Sequence, residues 1–135
     1  MTIDSLSEIL NDPDRQDKNK AFAQLGELIS KADSYDPLPF KSDVIEYQYD
    51  IYENVWKEAE GLRKSGKLVA FGRQIQCPLV AIHGNYDAHS AVGVKIPLSS
   101  VIKNFRFILL EDCGHRPWIE RAAKDAFYTI LKKEL

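Results

Sequence analysis

The chain has 135 residues, a formal charge of −2 and a pI of about 5.9, which suits one domain and lacks the basic excess of a nucleic-acid binder. Its 44% hydrophobic and 28% charged residues are the balance of an ordinary globular protein, and no apolar run approaches the roughly 20 residues that cross a bilayer. No basic-then-apolar leader opens the sequence, so Cys77 and Cys113, neither with metal-ligand spacing around it, are expected to stay reduced in the cytoplasm.

In chain order, the first half reads as helices. Asp4 or Ser5 suits the cap of a short helix carrying Ile3, Leu6, Ile9 and Leu10, which polar residues and Pro13 then break. A second helix from about Asp17 to Ala32 puts Phe22, Leu25, Ile29 and Ala32 on one face, and Pro37 and Pro39 stop it. The third is the clearest. Asp43 followed by Glu46 resembles a capping box, and Ile45, Tyr49, Tyr52, Trp56, Ala59 and Leu62 recur at helical steps until Ser65-Gly66. That aromatic stripe reads as a face buried on neighbouring helices, or as the lining of a ligand site if the helix belongs to a lid.

The second half changes character near Gly72. Leu79 to Ile82 is an unbroken apolar run between Pro78 and Gly84, as in a strand buried on both faces of a parallel sheet. Phe105 to Leu110 is a second such run. Between them, Pro97 to about Lys103 reads as a short helix. After the second strand, Pro117 suits a first helical turn and Glu120 the positive end of the helix dipole. Ile119, Ala123, Phe127, Ile130 and Leu131 then form an amphipathic helix to the C-terminus, where Lys132 and Lys133 suit the dipole's negative end. Strand, helix, strand, helix is the rhythm of a βαβα unit.

Functional residues of open α/β sheets gather just past the carboxyl ends of the strands. His83-Gly84-Asn85-Tyr86-Asp87 leaves the first strand and Cys113-Gly114-His115 leaves the second. If the strands are parallel neighbours, Asp87 and His115 emerge on one edge, where a carboxylate can orient an imidazole and make it a general base. The other candidates have plainer readings: His83 as a packing or hydrogen-bonding residue, His89 as loop surface, Cys113 as an inert thiol, Trp118 as an anchor for the last helix. Asp87, His89 and His115 do not follow a standard metal-ligand spacing, so neither a metal nor a cofactor is expected.

"PLVAIHGNYD", followed by "CGHRPWIE" with 28 positions from Asp87 to His115, resembles the closing third of the α/β-hydrolase fold. In that family the triad acid and histidine follow the last strands in this order, after an upstream serine. The resemblance implies an α/β fold: a partial hydrolase sheet of two parallel strands with flanking helices over 73–135, preceded by a helical lid-like segment over 1–72. It implies Asp87 as the triad acid, His115 as the triad histidine, and a small carboxyl-ester substrate. The chain departs from the family in one respect: no serine has glycine both two before and two after it, so the Gly-x-Ser-x-Gly nucleophile turn is missing.

The sequence therefore reads as the C-terminal portion of a serine-type hydrolase, with a partial catalytic triad, inactive unless complemented. The alternative is a non-enzymatic binding or assembly module derived from a truncated hydrolase. A stand-alone enzyme using Cys113 or a metal has no motif behind it. Two parallel strands of buried type need covered faces and paired edges. Association is accordingly expected, as a homodimer or with a separately encoded N-terminal half; no nucleic-acid or membrane partner is expected.

Overall fold

Residues 2–40 and 46–135 are described by the computed structural model. Helix α1 (Ile3–Asn11) starts two or three residues earlier than a cap at Asp4 or Ser5 would place it, because Thr2 and Ser5 cap it reciprocally. The Thr2 hydroxyl accepts the Ser5 N–H at 3.3 Å and the Ser5 hydroxyl accepts the Thr2 N–H at 3.0 Å. Leu6 and Leu10 of α1 are buried against Ala21, Phe22, Leu25 and Leu28 of α2 (Lys18–Ala32), and Tyr49 completes this first core. Ile29, expected on the buried face, is exposed, since the side of α2 that meets α1 carries Leu28 instead.

Helix α3 (Tyr49–Lys64) has Gln48 as its N-cap and Glu46 ahead of it, so Glu46 does not serve the helix as a capping-box partner. Asp43 and Ile45, expected at its head, lie outside the described residues. Only the first turn of its stripe is buried. Phe22 meets Tyr49 and Tyr52 with ring centroids 5.5 and 4.4 Å apart, but Trp56 is 47% exposed under the Arg63 guanidinium. Gly66 adopts a left-handed φ of 73° and turns the chain into α4 (Lys67–Phe71), a short helix that the sequence did not announce.

Strands β1 (Leu79–Gly84) and β2 (Phe105–Leu110) form a two-stranded parallel sheet in which Leu79 pairs with Phe105 and Gly84 with Leu110. Alternation sends His83 and Phe107 to one face, where Lys95 of α5 (Ala91–Val101) reaches the Phe107 ring. It sends Ile82 and Leu110 to the other, where they join Cys113, Ala123, Phe127 and Ile130 beneath α6 (Lys124–Glu134) in a second core. The result is an α/β arrangement with six α-helices among the described residues.

Two further helix boundaries differ from expectation. Helix α5 begins six residues before Pro97, because Ser90 caps it by accepting the Gly93 N–H at 3.2 Å; Pro97 sits inside the helix rather than starting it. The last helix begins at Lys124, not at Pro117. Pro117–Ile119 form a single 3₁₀ turn, and Glu120, in extended backbone, bridges to Pro37. Glu120 therefore does not meet a helix dipole; it lies in the interior and binds the chain ahead of the sheet.

Candidate active site around Asp87

The parallel register brings the two strand ends together, and the loops that follow are interlocked. The backbone N–H of Asn85 donates to the Leu110 carbonyl at 2.9 Å, and that of Tyr86 to the Cys113 carbonyl at 2.9 Å. The Asn85 amide reaches the Glu111 carboxylate and accepts the Cys113 N–H at 3.4 Å. Gly84 permits this approach. A Cβ there would stand 2.1 Å from the Cys113 carbonyl oxygen and 2.4 Å from that of Gly114. Asp112 makes the preceding turn with a φ of 50°, a left-handed conformation that aspartate tolerates better than most residues.

Asp87 thus emerges beside His115, as the sequence placed them. His115 Nδ1 lies 2.8 Å from Asp87 Oδ2, a distance at which the ring N–H donates to the carboxylate. The Asp87 side chain is only 6% exposed, whereas the His115 ring is 51% exposed. Oδ1 of Asp87 accepts two further bonds from His89, one from the backbone N–H at 2.9 Å and one from ring Nδ1 at 3.0 Å. Burial pushes the Asp87 carboxyl up, but the His89 backbone N–H and the His115 and His89 rings together outweigh it and hold the group below the usual carboxylate range. The carboxylate is therefore ionised at neutral pH, and its bond fixes the proton of His115 on Nδ1. Nε2, which makes no hydrogen bond among the described residues, is left as the basic nitrogen.

All three histidines of the chain surround this one carboxylate. His83 is buried; its Nδ1 donates to the Gly84 carbonyl at 2.8 Å, and its Nε2 stands 3.7 Å from Asp87 Oδ2. It is the hydrogen-bonding residue that the sequence led us to expect. His89 is exposed, again as expected, but it is also a direct partner of Asp87, a role its sequence position hinted at. An aspartate side chain commonly accepts the backbone N–H two residues on, in an Asx turn, which brings that residue beside it.

The loop bearing His115 is held from the other side by Glu120. Its side chain is fully buried and accepts the backbone N–H groups of Tyr35 at 2.9 Å, Asp36 at 2.8 Å and Gly114 at 3.1 Å. The His115 N–H donates to the Asp33 carbonyl at 2.8 Å, and Arg116 reaches Ser30 and Ser34 at the end of α2. Gly114 is needed at this junction, where a Cβ would meet the Asp33 carbonyl at 2.1 Å. The helical segment is therefore joined to His115 through the Asp33 carbonyl and to Gly114 through the Glu120 carboxylate.

Cys113 is no rival nucleophile. Its side chain is buried and its thiol is pushed up to about 11 by that burial and by the nearby Glu120 and Asp87 carboxylates. Trp118 lies 6.1 Å from Phe127 and so rests against α6, in keeping with an anchoring role. Among the described residues, no serine hydrogen-bonds to His115, and no helix is long and apolar enough to cross a membrane.

No family model matches the chain, and neither a curated protein nor a solved structure does.

Proposed function

We propose that this chain carries the acid and histidine of a serine-type α/β-hydrolase site acting on carboxyl esters, and that its nucleophile comes from another polypeptide. The observation that carries this reading is the 2.8 Å bond from His115 Nδ1 to a buried Asp87 carboxylate past the ends of two parallel strands. In acyl transfer, Nε2 of His115 would take the proton of a serine hydroxyl and return it to the departing alcohol, while Asp87 holds the ring in the competent tautomer. Helices α1 to α3 would form the cap, with the exposed Tyr52 and Trp56 facing an apolar acyl or alcohol group.

The open edges of the sheet support the same reading. Among the described residues β1 and β2 pair only with each other, which leaves each strand with an open edge, and Leu109 in β2 and Ile96 in α5 are exposed. A separately encoded N-terminal half would supply strands, serine and oxyanion donors; a homodimer would cover the edges but bring no Gly-x-Ser-x-Gly turn.

The test is to recover the tagged chain with its bound proteins from its own cells and label the complex with a fluorophosphonate. A co-purifying protein labelled with the wild-type chain and not with His115→Ala is the expected result, with Asp87→Asn reducing labelling by about four orders of magnitude in rate. Labelling of equal rate in all three would refute the assignment.

A further inference from the structure

His89 has no part in the proposed acyl transfer, yet its ring is bonded to the same carboxylate as His115. One donor atom each from Asp87, His89 and His115 lies within 4.8 Å of the other two. We propose that these three residues form a binding site for a divalent transition-metal ion of the zinc class. The proposal does not depend on the hydrolase reading.

The geometry is close to what such an ion demands. Zinc binds imidazole nitrogen and carboxylate oxygen at about 2.0–2.2 Å, so neighbouring ligand atoms of a tetrahedral site stand roughly 3.3 Å apart. Asp87 Oδ1 to His89 Nδ1 is 3.0 Å and Asp87 Oδ2 to His115 Nδ1 is 2.8 Å. These contacts reach different oxygens of the one carboxylate, so capture of an ion needs a turn of the His89 side chain, which is 68% exposed, to bring its nitrogen and that of His115 around a shared position. The two rings already stand near each other, with centroids 5.2 Å apart.

Two of the three ligands are set in place by the fold. Asp87 is buried among loop bonds, and His115 is held through its backbone to Asp33. Pre-positioned ligands lower the ordering cost of capturing the ion. Two imidazoles with one carboxylate favour zinc, cobalt, nickel or iron over magnesium or calcium, which prefer oxygen donors. Three protein ligands leave a fourth position for water on the exposed side. A His115 nitrogen engaged by the ion moves its proton to the other ring nitrogen and no longer presents a free base. The metal and the acyl-transfer role are therefore alternative states of one residue.

The experiment is a competition between the full chain and a chromophoric zinc chelator, performed in a Cys77→Ser background so that the exposed thiol contributes nothing. The expected result is one zinc ion per chain, with affinity reduced about tenfold or more by His89→Asn. His89 is exposed, so that substitution leaves the far-ultraviolet dichroism unchanged and the loss belongs to the site. A chain that leaves the chelator's zinc untouched, or a His89→Asn variant whose affinity falls by less than that, overturns the proposal. Hydrolytic labelling plays no part in the readout, so either reading can fail without the other.

Discussion

At the scale of single residues, what decides a side chain's chemistry is the company its loop gives it. Cys77 and Cys113 share a residue type and nothing else. Cys77 is exposed, while Cys113 is buried beside two carboxylates with its thiol raised to about 11. A raised thiol stays protonated and unreactive until the pH approaches that value. Iodoacetamide at pH 8 is therefore expected to modify Cys77 alone in the folded chain, and both cysteines after denaturation, as read by intact mass. Two adducts on the native protein would contradict the burial. Asp87 and His115 were legible in the sequence because each follows an apolar strand run at a fixed short distance. Glu120 was not, because a glutamate three residues after Pro117 looks like any first-turn acid. Its real partners, the N–H groups of Tyr35 and Asp36, lie some 85 residues away in sequence, beyond what local pattern can reach.

At the scale of elements, strand runs were easier to read than helix starts. The two strands needed only largely apolar runs, and the observed bounds match for β2 while β1 continues two residues past Ile82 to Gly84. Helix α5 was misplaced because proline usually marks a first turn, whereas here Ser90 caps the helix upstream and Pro97 falls inside it. The last helix was placed too early for the same reason: Pro117 opens a 3₁₀ turn that hands Glu120 inward before α6 begins. The close contact of β1 with the Cys113–Gly114 turn gives a test at this scale. Gly84→Ala would set a Cβ 2.1 Å from a backbone oxygen that has no room to yield, whereas Gly61 in α3 has no atom within 4 Å of the added carbon. Gly84→Ala is expected to cost about 3 kcal/mol and to lower Tm by roughly 10 °C. Gly61→Ala should leave stability unchanged or raise it by about 1 kcal/mol through helix propensity. Calorimetry giving similar Tm values for the two variants would mean that the β1 end is not clamped as described.

At the scale of the whole molecule, two small cores are joined by one polar junction. The first lies among α1, α2 and Tyr49, the second between the sheet and α6. Glu120, Asp33 and Arg116 connect them through bonds to the residues around His115. The position of the histidine is thus fixed by both parts of the chain. The sheet that should support an acyl-transfer site has only two strands among the described residues, and the exposed apolar side chains of α3, α5 and β2 remain to be covered. Three histidines gather on the Asp87 carboxylate, and Asp87, His89 and His115 each place a ligand atom within 4.8 Å of the other two. The proposed function is that this chain holds half of a hydrolytic site. The most direct test is to expose the purified chain to a fluorophosphonate, record its intact mass and assay a short-chain aryl ester in parallel. The account predicts an unchanged mass and no turnover above that of His115→Ala. A stoichiometric adduct on the chain itself, mapped to one of its own serines, would contradict it.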